Sequence, residues 1–205
     1  MPEFKIKGNL LYLKDIDLFL GGFCFESSSS QANIFTLDVF VQPLFIPCEY
    51  LFFTYGKRLP SSGRAGEKWW TYSEDTKDEV MSGVRSSIID QGLHFLHDRL
   101  PIEKFLHTYG NDINHPDVNI AESVCYAYLL NNPKRESEAI NHLNALLENV
   151  QNDIMTNSDL LWLNDVKKRV ELIANYMKKN ERIKAIDQLN EWKEYTLAQL
   201  KIDRQ

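Results

Sequence analysis

Hydrophobic and polar positions along this chain follow two rhythms. Up to about residue 55 the apolar side chains come in short runs or at every second position, the spacing of a strand with one face in a core. Beyond residue 74 they recur every third or fourth position, the spacing of an amphipathic helix. Strands are predicted at residues 9–14, 18–26, 34–45 and 50–55. In the third, Ile34, Thr36, Asp38, Phe40 and Gln42 share one face, while Phe35, Leu37, Val39 and Val41 share the other, the expected core face. Gly21 and Gly22 in the second run mark a bulge or a close backbone approach. Pro43 and Pro47 end the third run, because proline has no N–H to give a ladder. Short connections make an antiparallel meander the simplest topology. Residues 18–53 form its buried hairpin, the platform of the fold.

Residues 57–73 (KRLPSSGRAGEKWWTYS) hold two glycines, a proline and serines, and read as a loop. Helices follow. The first is expected at 75–100, with Val80, Val84, Ile88, Leu93, Leu96 and Leu100 as its stripe, and a short one at 101–110. Residues 117–131 are apolar almost all round, as a central helix would be. Asn132-Pro133 opens the next helix, which carries Ile140, Leu143, Leu147 and Val150. Ser158 caps another with Leu163, Val166, Val170, Ile173 and Met177, and Asn180 suits a left-handed stop. The last carries Ile183, Ile186, Leu189, Leu197 and Leu200. AINHLN at 139–144 recurs as AIDQLN at 185–190, each after a tyrosine-bearing helix and a short break, which suggests two stacked helical hairpins. The expected fold is α+β: a four-stranded antiparallel sheet covered by a long helix, residues 1–110, then a helical bundle, residues 111–205. No Gly/Ser-rich linker divides them, so the two are expected to pack as one unit.

Composition narrows the classes. With 205 residues the chain can bury a real core without staples. Cys24, Cys48 and Cys125 are odd in number, far apart and set among apolar neighbours, which predicts reduced core thiols. No basic segment leads into an apolar stretch at the start, and no run is long enough to span a membrane. These features place the chain in the cytoplasm of a bacterium or its phage. The net charge of −6 is uneven: residues 1–70 carry seven basic and seven acidic side chains, residues 71–205 sixteen and twenty-two. An acidic helical half disfavours general nucleic-acid affinity, which needs clustered cations, and suits a basic protein partner.

Three places could carry chemistry. His94, His97 and Asp98 share a face of the first helix, with Asp90 a turn earlier, so a metal or acid–base site is one alternative. The competing reading is a polar flank near a helix C-terminus, where histidine is welcome. Lys57, Arg58, Arg64, Lys68, Trp69, Trp70 and Tyr72 interleave cations with aromatic rings in the 57–72 loop. Such residues grip single-stranded nucleic acid, anchor protein interfaces, or fold inward to cover a sheet edge. Ser27 to Ser30 has no G-x-S-x-G elbow and reads as a hairpin loop. Glu26, Asp38 and Glu49 could form a carboxylate pair only if folding brings them together. There is no P-loop, dinucleotide fingerprint or EF-hand, and no cofactor or metal is expected.

Gly8 to Tyr12 (GNLLY), Gly22 to Ser28 (GFCFESS), Phe35 to Leu44 (FTLDVFVQPL) and Tyr55 to Leu59 (YGKRL) resemble the sheet of small bacterial domains of unknown function, the DUF type, with its GF-x-x-KGN-x-x-Y strand and phenylalanine-rich third strand. The likeness covers about the first sixty residues; the helix that usually precedes the first strand is missing, and the long helical half is extra. It transfers no catalytic residues. It implies the neighbourhood of immunity or antidote proteins, which bind and block a partner. The resulting expectation is a non-catalytic protein that recognises another protein, such as a basic toxin or effector, as an immunity, antitoxin or inhibitor protein would. The alternatives are a nucleic-acid-associated protein using the 57–72 loop, and an enzyme or metal site at His94, His97 and Asp98.

Overall fold

The structure, a computed structural model, describes residues 2–61, 69–156 and 159–202. Its contacts divide the chain into two units, residues 2–43 with 51–101, and residues 44–50 with 102–202. The division therefore falls before residue 110 and assigns a short piece of the N-terminal half to the helical unit.

Unit 1 is a mixed layer of antiparallel sheet and helix, so the α+β class holds with a larger sheet than expected. Its strands are β1 Phe4–Lys7, β2 Leu10–Leu13, β3 Phe19–Ser27, β4 Ile34–Pro43, β5 Gly56–Leu59 and β6 Trp70–Thr71, in the order β1-β2-β3-β4-β5 with β6 also on β4. Gly8 opens the two-residue β1–β2 turn at φ 57, a conformation that costs glycine little. The strand expected at 50–55 does not form. Residues 44–50 leave the sheet for unit 2, and the chain regains the ladder only at Tyr55, whose carbonyl accepts the Val41 N–H at 3.1 Å. β1, β5 and β6 escaped the periodicity because FKIK, GKRL and WT are only two to four residues long.

β4 corrects a second expectation, since both of its faces are buried rather than one. Leu37, Val39 and Val41 are inside, and so are Thr36, Asp38, Phe40 and Gln42. The polar members are satisfied: the Thr36 hydroxyl donates to Asp38 Oδ2 at 3.1 Å, and Gln42 Oε1 accepts the Phe52 N–H at 3.0 Å.

The long first helix is present as α1 Lys77–Ser87, a π-helical turn Ile88–Gly92, and α2 Leu93–His97. The π turn lies against β5 and α2 against β4. Gly92 permits this approach, because a Cβ there would collide with the Phe23 ring and stand 3.3 Å from Leu59 Cδ1. The same holds for the paired glycines of β3: a Cβ on Gly21 would meet Leu100 Cδ2 at 2.7 Å, and one on Gly22 the Leu11 carbonyl at 2.5 Å.

Unit 2 stacks α3 Ile102–Tyr109, α4 Val118–Asn131, α5 Glu136–Thr156, α6 Trp162–Lys178 and α7 Arg182–Gln199. Asp117 caps α4, its Oδ1 accepting the N–H groups of Asn119 (2.8 Å) and Ile120 (3.3 Å). Every residue of α4 from Ile120 to Leu129 is buried, and it packs on α3, α5 and α7, the central position its composition predicts. The internal repeat occupies equivalent places on α5 and α7: Ala139 and Ala185, Leu143 and Leu189 are buried, while Asn144 and Asn190 are exposed. Asn180 takes φ 57 after α6, as expected. Ile183 is 75% exposed, which removes it from the stripe assigned to α7. Ser158 lies outside the described residues.

The borrowed segment 44–50 is tied into this unit. Leu44, Phe45 and Ile46 are buried, the Thr196 hydroxyl donates to the Ile46 carbonyl at 3.0 Å, and the Cys48 N–H donates back to that hydroxyl at 3.3 Å. A buried ion pair links α4 and α6: Arg169 donates through Nε (2.7 Å) and Nη2 (2.8 Å) to Glu122, which also accepts the Tyr126 hydroxyl at 3.0 Å. Burial works against the Arg169 charge, but the Glu122 bonds and attraction outweigh it and raise its pKa. Burial, reinforced by Glu122, pushes the Tyr126 phenol well up. Among the described residues no helix is long and apolar enough to cross a membrane.

Candidate functional site

The sheet edge holds an interruption. β5 and β6 both pair with the side of β4 opposite β3 and run in the same direction, Leu59 facing Leu37 and Trp70 facing Phe35. They are two halves of one edge strand, whose pairing on β4 passes over the single position Thr36. An interrupted edge is less open to pairing with other chains.

The two tryptophans, Trp69 just before β6 and Trp70 within it, have different surroundings. Trp70 is buried at 3% exposure and stacks on Phe35, with centroids 6.2 Å apart and 12° between planes. Trp69, one residue earlier, is 51% exposed, and the Arg58 guanidinium lies 5.5 Å from its ring centroid. Register explains the partners of Arg58. Asp38 faces Arg58 on one side and Cys24 on the other, and Glu26 faces Thr36 one step along. Arg58 Nε donates to Asp38 Oδ1 at 3.1 Å and Oδ2 at 3.3 Å, and Nη2 reaches Glu26 Oε2 at 3.4 Å. Phe53, 37% exposed and set edge-on to Phe40, borders a shallow depression with Asp38, Gly56 and Arg58.

Beside this cluster Cys24 accepts a hydrogen bond from Asn9 Nδ2 at 3.3 Å. Burial, and then the nearby Glu26 and Asp38 carboxylates, push its pKa up to about 11, so at neutral pH it is a packed thiol and not a nucleophile. The arrangement supplies a guanidinium hydrogen-bonded to Asp38, a half-exposed ring and a half-exposed carboxylate.

Of the seven sequence-predicted residues, the structure brings Arg58 and Trp69 together. Lys57 projects to the other face of β5, its Nζ 5.7 Å from the Phe95 ring centroid. Tyr72 gives its N–H to the Asn33 carbonyl (2.8 Å) and its hydroxyl to Glu74 Oε1 (3.4 Å). Trp70 belongs to the core. Arg64 and Lys68 lie outside the described residues. Sequence reasoning did not connect Asp38 and Glu26 to Arg58, because the pairing depends on the register of β5, a strand it did not find. Glu49 takes no part in that group: it belongs to unit 2, where it accepts the Tyr195 hydroxyl at 3.0 Å.

The histidine face is placed differently from a three-ligand site. His97 Nδ1 and Asp98 Oδ1, both exposed, lie 3.1 Å apart, and among the described residues no group of three or more His, Cys, Asp or Glu is placed to hold a metal ion. In the serine stretch the Ser28 N–H donates to the Ile34 carbonyl at 2.8 Å, closing the β3–β4 hairpin. No family model, curated protein or solved structure matches this chain.

Proposed function

We propose that this chain is a non-catalytic binding protein that docks another protein on the sheet face around Arg58 and Trp69, in the manner of an immunity, antitoxin or inhibitor protein. One observation carries the reading: Arg58 is fixed by Asp38 and stacked on a half-exposed tryptophan at the interrupted sheet edge. Arginine and tryptophan dominate interface hot spots, and an arginine already held in place loses little freedom on binding. Two carboxylates on Arg58 also lower its attraction for phosphate, which favours a protein partner over nucleic acid.

The test is affinity capture from the native host by the wild-type chain, with Arg58→Ala and Trp69→Ala chains alongside and captured proteins quantified by mass spectrometry. A partner enriched by the wild type and lost with both variants is the expected result. Equal capture by all three chains, or recovery of nucleic acid that falls away as salt rises, would reject the reading.

A further inference from the structure

The passage from α5 to α6 carries large apolar side chains that the core does not take up. Met155, at the end of α5, and Leu161, just before α6, are each 73% exposed, and Leu160 and Trp162 are also exposed, whereas Leu163 is buried. Thr156 and Asp159 are three positions apart, so the chain holds the two helix ends within about 11 Å of each other. Backbone bonds fix the α6 side. The Leu161 N–H donates to the Asp159 carbonyl at 3.0 Å, the Leu163 N–H to the Leu160 carbonyl at 3.0 Å, and the Asn164 N–H to the Leu161 carbonyl at 3.1 Å. Single exposed leucines are ordinary, but several large apolar side chains gathered at one turn mark an interaction surface. Tryptophan and methionine are among the residue types enriched in such surfaces.

Charge selects the occupant. Between His142 and Lys167 the sequence holds four acids, Glu148, Asp153, Asp159 and Asp165, and no lysine or arginine. Glu148 lies two turns before Met155 on the same face of α5, and Asp165 lies one turn beyond Leu161 and Trp162. Both are exposed, as is Asp159. Lys168, which donates to Asp165 at 3.1 Å, offsets one of these charges. Apolar side chains in acidic surroundings are repelled by an anionic membrane surface. They complement a protein segment that is both apolar and cationic.

We infer that the α5–α6 turn docks an apolar, lysine- or arginine-bearing segment of another protein, with apolar side chains on Met155, Leu161 and Trp162 and cations toward Glu148, Asp159 and Asp165. This surface belongs to unit 2 and the Arg58 face to unit 1, and neither reading depends on the other.

The full chain, labelled with nitrogen-15, reports on this through its indole N–H signals, those of Trp162 and Trp192 being assigned by their loss in Trp162→Phe and Trp192→Phe. The probes are a blocked peptide of leucine and lysine at helical spacing, the same peptide with glutamate in place of lysine, and phosphatidylcholine vesicles. The Trp162 signal should move saturably with the lysine peptide while that of Trp192 holds, and the glutamate peptide should bind about tenfold more weakly. Met155→Ser combined with Leu161→Ser, both at exposed positions, should weaken the lysine peptide about tenfold at an unchanged thermal midpoint. If that chain does not fold, Asp159→Lys serves instead and should narrow the gap between the two peptides. An unmoved Trp162 signal, equal binding of the two peptides, or equal movement of every indole signal would overturn the inference. So would movement with the vesicles in place of the peptide, or wild-type self-association in sedimentation that Leu161→Ser abolishes.

Discussion

Arg169 in unit 2 and Arg58 in unit 1 both meet a carboxylate through the Nε edge of the guanidinium, yet their surroundings differ. Glu122 is fully buried and the Arg169 side chain 20% exposed, with two bonds under 3 Å and a tyrosine hydroxyl closing the group. Arg58 is 32% exposed, its bonds run from 3.1 to 3.4 Å, and one of its two carboxylates is 46% exposed. The first pair has its hydrogen bonds supplied from within the fold, and losing one partner strands a charge inside. The second leaves polar surface and a bare ring at the edge of a sheet. Similar chemistry is thus closed inside the fold in one unit and open at the surface in the other.

The largest effect should come from breaking the closed pair. Arg169→Met leaves Glu122 buried without its cation and should cost about 3–5 kcal/mol, read as a shifted denaturant midpoint. Replacing both members by apolar residues, Glu122→Leu with Arg169→Met, should recover most of that loss. A small loss from Arg169→Met alone would mean the pair is not the closed structure described.

Packing of unit 1 offers a sharper contrast with its own polar edge. Gly92→Ala drives a methyl into the Phe23 ring and should cost about 1–3 kcal/mol, measurable as a lower thermal midpoint. An unchanged midpoint would show that the π turn can lift from the sheet at little cost.

A smaller effect should appear as pH dependence in unit 2. His142 is buried, its ring centroid 5.0 Å from that of Tyr128. Burial lowers its pKa below the ordinary 6.5, a shift the Gly110 carbonyl only partly offsets. The unfolded chain therefore binds the proton more readily. The contribution of His142 is complete above pH 6.5 and declines as pH falls below it toward the depressed folded value. His142→Gln should flatten that part of the stability profile. A wild-type profile with no decline below pH 6.5 that the variant removes would contradict the burial argument.

These contrasts also show what was legible before folding. Helix limits could be read because capping residues and stripes are local: Asn132 and Asn180 each mark the boundary they predict. The inner strands were legible too, since β3 and β4 are long and rich in apolar residues. The proposed docking face was only half legible. Arg58 and Trp69 stood out as types, but Trp70 looked equivalent to Trp69 until the fold buried one and left the other half exposed. Asp38 seemed a solvent-facing residue because its partner is twenty positions away, on a strand of four residues. The departure of residues 44–50 to unit 2 depends on Thr196, about 150 residues later, and no local pattern announces it.

In the proposed role, Arg58 serves binding more than the fold. Its most direct test measures both quantities on Arg58→Ala: thermal stability of the purified chain, and capture of the native partner by quantitative mass spectrometry. The Asp38 side chain is only 13% exposed and keeps the Thr36 hydroxyl when Arg58 is removed, so the loss should be about 1–3 kcal/mol, smaller than for Arg169→Met, with partner capture lost. A midpoint that falls as far as that of Arg169→Met, or capture that survives undiminished, would contradict it.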